Sequence, residues 1–263
     1  MKFSMKCDAN PLIPKLKSGQ VVVGTWINTL RDPLVARIVA GAGFDYVFID
    51  MEHSGITESV LMDMCLIARE CGVAPIVRPT NPDNLQQNGR LLDIGAVGMI
   101  LPHVESAQQA KKIIASTRFF EGGTRGYCGR TLASGFERND RTLLERTDSE
   151  TVLVAQFEDP GTIAQADQIL SLPGVLMSIV GRGDLAHTMG LSGDVKNPRV
   201  TEEVEKVVAS CRRNEVAPGL LVNSVDEARE WITKGVRCIT YANELALLQG
   251  AYREALREIK KRD

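Results

Sequence analysis

No apolar run in this chain approaches the ~18 residues that a membrane-crossing helix needs, so no transmembrane segment is expected. The start, MKFSMKCDANPLIPKLKSGQ, lacks an apolar core and a small-residue cleavage site and does not read as a secretory signal. There is no block of basic charge either. Lysine and arginine number 31 against 33 acidic residues, a net charge of −2, so neither nucleic acid nor an anionic membrane is an expected partner. The six cysteines, at 7, 65, 71, 128, 211 and 238, are scattered without zinc-type CxxC spacing. They read as reduced, mostly packed thiols of a cytoplasmic protein. GxGxxG, P-loop, HExxH and GxSxG sequences are absent, which removes common nucleotide, zinc-protease and hydrolase chemistries. No linker or low-complexity tract marks a boundary, so residues 1–263 read as one domain with 1–18 as an N-terminal extension.

What is present is an alternation. Short apolar runs, among them QVVVGTW, DYVFID, APIVRP, VGMILP, TVLVAQF, VLMSIVG, APGLLV and RCITYA, are each followed by a longer stretch with helical spacing. The short runs lack the in–out alternation of a half-exposed strand, as expected where both faces are buried. The long runs place apolar residues on one helical face, as at Val204, Val207 and Val208. Eight such units in 263 residues predict a single (β/α)8 TIM barrel, with a doubly wound open sheet as the alternative. The last run, ALLQGAYREALREIKK, reads as a helix that packs across subunits, although an ordinary eighth barrel helix would look the same.

In a barrel, chemistry belongs where strands end and βα loops begin. The strand ends carry Trp26 and Asn28; Asp50, Glu52 and His53; Arg78; Pro102 and His103; Gln156 and Glu158; Arg182 and Asp184; Asn223; and Asn243 with Glu244. Glu158 and Asp184 follow consecutive strands, and two such carboxylates suit a hard divalent cation, Mg2+ or Mn2+, that keeps waters for a chelating substrate. The fork of Arg78 suits a carboxylate or oxyanion, or else an ion pair with Asp50 or Glu52. His53 is the candidate base, with Asp93 able to orient it. His103 and His187 read as structural or peripheral, and Asp159 as merely solvated. The stretch GRGDLAHTMG offers backbone N–H groups near Gly183 and Asp184 to a carboxylate, a weak pattern by itself.

Several stretches together resemble the HpcH/HpaI aldolase family, metal-dependent 2-oxo-acid aldolases related to citrate lyase β subunits. They are GTW, AGAGFDYVFIDMEH, IVRP, LLDIGAVGMILPHVESAQQA, GGTRG, VLVAQFE and VGRGDLAHTMG, in the family's order across roughly residues 20–190. The resemblance implies a metal held by Glu158 and Asp184, proton transfer by His53 supported by Asp93, and enolate stabilisation by Arg78. It also implies that Gln156 lies near bound pyruvate and that Trp26 lines the pocket. The implied partners are a small 2-oxo acid, an aldehyde and further copies of the chain, in a hexamer built as a trimer of dimers.

Two positions depart from the family. Arg182 stands where proline is usual and is expected to engage an extra substrate carboxylate or to point outward to a neighbouring subunit. His103 stands where an apolar residue is usual. No lysine stands at a strand end, which disfavours Schiff-base chemistry. The expected activity is therefore class II cleavage or formation of the C–C bond of a 4-hydroxy-2-oxo acid. The alternatives are a citrate synthase- or lyase-like or oxaloacetate-decarboxylating enzyme on the same chemistry, and a barrel that only binds a small acid. The Gly/Arg-rich loop 121–150 is expected to lid a site or to make subunit contacts.

Overall fold

In the computed structural model, which describes residues 9–138 and 140–261, the strands run parallel and close into a barrel in sequential order. They are β1 (Val22–Ile27), β2 (Tyr46–Asp50), β3 (Ala74–Arg78), β4 (Gly98–Leu101), β5 (Val152–Phe157), β6 (Val175–Val180), β7 (Gly219–Val222) and β8 (Cys238–Asn243). The helices are α1 (Leu12–Lys17), α2 (Leu34–Gly41), α3 (Glu58–Glu70), α4 (Leu85–Asp93), α5 (Ala107–Ala115) and α6 (Arg141–Glu150). They continue as α7 (Pro160–Ile163), α8 (Ala166–Leu170), α9 (Arg182–Thr188), α10 (Pro198–Arg213), α11 (Val225–Thr233) and α12 (Glu244–Lys260). The expected alternation is thus a closed (β/α)8 barrel and not an open sheet.

Side-chain parity divides the core in two. Val47 and Ile49 of β2 and Val77 of β3 turn outward to the helices, packing with Leu61, Met64 and Leu91. Tyr46, Phe48, Ala74, Ile76, Val152, Val154, Met177 and Ile179 turn inward and fill the barrel. Gly24 of β1 must be glycine, because a Cβ there would overlap the Tyr46 ring. The same inward parity continues two residues further to Asp50, Arg78 and Gln156. The interior therefore changes from apolar to polar at the carboxyl ends of the strands.

Residues 1–8 of the expected extension lie outside the described residues. The remainder of that extension is tied to the core: Leu12 of α1 is fully buried in the barrel-interior cluster. The Asn10 side chain holds it there by donating to the carbonyls of Glu150 (2.9 Å) and Val97 (3.2 Å).

The segment after α5 does not lid its own barrel mouth. It lies at the amino-terminal end, where Arg69 at the end of α3 donates to the Leu132 carbonyl and the Ala133 amide donates to that of Asp93. At the other extreme of the chain, α12 is nearly bare, with Glu244 its only buried residue. Leu248, Tyr252, Leu256 and Ile259 form an exposed stripe at helical spacing along it, 41%, 67%, 52% and 80% exposed.

Candidate active site

The strand register places Asp50 directly beside Arg78 across β2 and β3. Both side chains are buried, and they meet through two parallel hydrogen bonds, Nε to Oδ1 at 2.8 Å and Nη2 to Oδ2 at 2.7 Å. The guanidinium lies 4.7 Å from the centroid of the Trp26 ring, which fixes its plane. Burial alone would raise the Asp50 carboxyl. The hydrogen bonds and charge of Arg78, with smaller help from the Glu52 amide and Trp26, bring it below its ordinary value. Glu52 Oε2 sits 3.1 Å from Arg78 Nε, but the hydrogen there is committed to Asp50, so this contact is Coulombic only. The other Glu52 oxygen bonds the ring of His103.

His103, expected to be peripheral, stands in the middle of this arrangement. Its Nε2 meets Glu52, its Nδ1 lies 3.5 Å from Glu158 Oε2, and its backbone N–H donates to the same oxygen at 3.4 Å. Burial works against a charged ring, but bonding to Glu52 and the charges of Glu52, Glu158 and Asp184 outweigh it and raise the imidazole's pKa. Its position after β4 was a visible signal. Its left-handed backbone, φ 51°, was not.

Glu158 leaves the end of β5 nine-tenths buried. One of its oxygens accepts from the Gln156 amide. Gly181, after β6, makes room for it, because a Cβ there would stand 2.7 Å from Oε1 and 2.8 Å from Cγ. Burial and the negative charge of Asp184 raise the Glu158 pKa, against the lowering effects of Gln156 and His103. Asp184, in the first turn of α9, faces a cavity of about 280 Å³ that it shares with His103, Glu105, Gln156, Glu158 and Asp159. The Gln156 Oε1 is buried there without a hydrogen-bond partner.

The expected metal pair and the expected arginine therefore converge on one barrel mouth. Among the described residues no larger cluster of three or more His, Cys, Asp or Glu ligands assembles. A pair of carboxylates beside an unpartnered amide oxygen is still an all-oxygen donor set of the kind that hard divalent cations accept with waters completing the shell.

Other expected residues are placed differently. His53 is in reach of the site, but its side chain is 67% exposed, with Nε2 3.9 Å from Glu52 Oε2. Asp93 does not support it within the chain. It ends α4, at the opposite end of the barrel, where its carboxylate pairs with Arg125 Nη2 at 2.6 Å.

Arg182 neither reaches the cavity nor points outward. It is buried, with Nη1 2.8 Å from Glu227 of α11 and Nη2 donating to the Leu221 carbonyl at 2.7 Å. Gly183 beside it is exposed, and a Cβ there would meet nothing within 4 Å. Asp159 lines the cavity but also caps α7, accepting from the Thr162 amide at 2.9 Å. Glu244 is structural, receiving the backbone amides of Asn28, Thr29 and Leu30. His187 lies exposed in the last turn of α9.

Comparison with known proteins identifies relatives along nearly the whole chain. The family model described as HpcH/HpaI aldolase/citrate lyase matches residues 23–250. A 4-hydroxy-2-oxo-heptane-1,7-dioate aldolase of Escherichia coli is 30% identical over 238 residues, 90% of this chain and 89% of that protein. A hydroxypyruvate/pyruvate aldolase of Pseudomonas aeruginosa is 31% identical over 252 residues, 95% of this chain and 92% of that protein. Among solved structures, an HpcH/HpaI aldolase from Desulfitobacterium hafniense superposes with a TM-score of 0.87 at 30% identity, covering 96% of this chain and 97% of that one.

Proposed function

The chain belongs to the HpcH/HpaI aldolase/citrate lyase family, and from that membership we propose that it is a class II pyruvate aldolase. It would make or break the C3–C4 bond of a 4-hydroxy-2-oxo acid through the enolate of pyruvate. The observation that carries this reading is the convergence, at one barrel mouth, of the Arg78 fork with the Glu158–Asp184 pair. Glu158 and Asp184 would hold Mg2+ or Mn2+, a choice supported by their oxygen donors and by the orphaned Gln156 Oε1 beside them. Bound there, the cation would supply Lewis acidity toward the oxygens of the 2-oxo acid.

The chain's own residues supply the rest. Asp50 occupies Nε and Nη2 of Arg78 and leaves its Nη1 donors for the C2 oxygen, where negative charge develops. A donor already held in a buried pair and stacked on Trp26 does not have to reorganise as that charge appears. His53 would take the proton from the pyruvate methyl carbon, or in cleavage from the C4 hydroxyl, and return it after the C–C bond has changed. Because Asp93 lies at the far end of its own barrel, its support for His53 would have to come from another copy of the chain.

We assign the working form as a homo-oligomer, a hexamer built as a trimer of dimers. The exposed Leu248–Tyr252–Leu256–Ile259 stripe of α12, together with Leu34 and Ile38 of α2 at 56% and 71% exposure, is apolar surface that a second copy would cover. We place the protein in the cytoplasm and treat the whole chain as one domain. Cys65, Cys71, Cys211 and Cys238 form no disulfide, and no helix among the described residues is long and apolar enough to cross a membrane. A citrate-forming enzyme on the same chemistry is less well supported, because Arg182, the cation available for a larger anion, is spent on Glu227.

The test is pyruvate release from oxaloacetate with Mg2+ or Mn2+, with and without EDTA, beside Glu158→Ala. Metal-dependent release that is lost in the variant is expected. An EDTA-insensitive rate, or a variant as active as the parent, would overturn the reading.

A further inference from the structure

Two halves of the site are built on different strands. The arginine half, Trp26, Asp50, Glu52 and Arg78, comes from β1 to β3. The carboxylate half comes from β5, which carries Gln156 and leads to Glu158, and from the first turn of α9, which carries Asp184. One residue touches both. His103 bonds Glu52 through its ring and Glu158 through its backbone N–H, and Glu52 in turn lies 3.1 Å from Arg78 Nε. We propose that His103 is a positioning residue, a clamp that sets the spacing between the Arg78 fork and Glu158 and so fixes where the substrate's oxygens sit. The proposal rests on the aldolase reading for its catalytic meaning, but its geometry can be tested apart from it.

Two observations carry the proposal. The first is connectivity. Glu52 Oε2 has no hydrogen-bond donor of its own, so the carboxylate is oriented through its other oxygen, and the donor there is His103. Free that end and Glu52 can swing, taking with it the charge beside Arg78 Nε. The second is backbone strain. His103 has φ 51°, a left-handed conformation that few residues with a Cβ adopt, histidine more often than most, and that glycine accepts without steric cost. Glycine would relieve the steric strain at this turn. Here the strained residue is also the one bonded to both halves of the site, a coincidence typical of functional positions.

The strain also gives the test its control, because His103→Gly removes the ring while relaxing the turn. The chain has two tryptophans. A Trp231→Phe background therefore leaves Trp26, against which Arg78 stacks, as the only indole reporter. In that background His103→Gly, Glu52→Gln and the double variant would be compared by acrylamide quenching of Trp26, by kcat and KM for Mn2+-dependent oxaloacetate decarboxylation, and by Tm.

The clamp predicts that His103→Gly melts no lower than its parent and leaves Trp26 roughly twofold more quenchable. It also predicts a kcat about tenfold or more lower with KM changed by less than about threefold, because a displaced group costs the chemical step more than binding. The double variant should be no worse than the stronger single one, since both act through one path. Unchanged quenching overturns the proposal, as do kcat losses that multiply, or a loss that tracks a fall in Tm. A parent without metal-dependent activity would sink the aldolase reading and leave the quenching comparison to judge the clamp. If the glycine variant does not fold, His103→Asn tolerates the same backbone with a side chain too short to span to Glu52, and it gives the same readouts.

Discussion

Asp50→Asn is the sharpest test of how the arginine is held. The substitution keeps the volume of a fully buried side chain and removes its charge. In the parent both oxygens accept from Arg78, at 2.8 and 2.7 Å. An asparagine can accept on one arm only, and it turns an amide N–H₂ against a guanidinium donor on the other. Removing one partner of a buried ion pair costs about 3–5 kcal/mol. Glu52 at 3.1 Å from Nε and the face of Trp26 remain, so the lower end, about 3 kcal/mol, is expected.

The assay is urea unfolding followed by circular dichroism, at matched protein concentration because an oligomer's stability depends on it. The same pair makes a pH prediction. Arg78 holds the folded Asp50 carboxyl below its ordinary value. Its contribution is therefore complete above the unfolded aspartate pKa of about 3.9 and is lost as the pH falls through the lower, folded value. The stability gap between parent and variant should be full at neutral pH and should close only on strong acidification. A gap under about 1 kcal/mol at pH 7 would refute the claim that this bond pair holds the fork. A gap that instead opened as the pH fell would do the same.

Gly181→Ala should leave the fold intact and weaken Mn2+ binding, measured by calorimetry, by about tenfold or more, because the new methyl occupies the space of Glu158 Oε1. Unaltered binding would mean that Glu158 is free to move aside. Arg182→Ala should cost stability, about 2 kcal/mol after discounting for the partly exposed Glu227, yet leave kcat/KM for oxaloacetate within about threefold. A selective rise in KM would return Arg182 to the substrate. The acid-lined cavity, with Glu105 and Asp159 beyond the metal pair, should favour an uncharged hydroxyaldehyde such as glycolaldehyde over succinic semialdehyde by roughly tenfold in kcat/KM. The reverse preference would require a cation from elsewhere. Leu248→Arg combined with Leu256→Arg should reduce the mass measured by light scattering to that of a smaller assembly, and an unchanged mass would remove α12 from the interface.

Barrel order and the position of the candidate site at the strand ends were legible because both follow from short-range rules. Strands buried on two faces must read as apolar runs, and parity alone carries the inward positions from Phe48 to Asp50, from Ile76 to Arg78 and from Val154 to Gln156. Which partner each charged group takes is a different kind of fact. Arg182 stands two residues from Asp184, and in the chain as text it looks like a substrate ligand. In the fold it meets Glu227, forty-five positions away, because α9 starts against β7 and α11. His103 looked peripheral because its place after β4, though visible, does not name its partners, and its proposed role depends on a backbone angle and on Glu52 lying across the barrel mouth. Asp93 shows the converse. A motif can mark a residue for the site while topology sends it to the far end of its own barrel, next to Arg125. In the proposed reaction Asp93 would act only from another copy of the chain, and the bare α12 stripe is the apolar surface such a copy would cover.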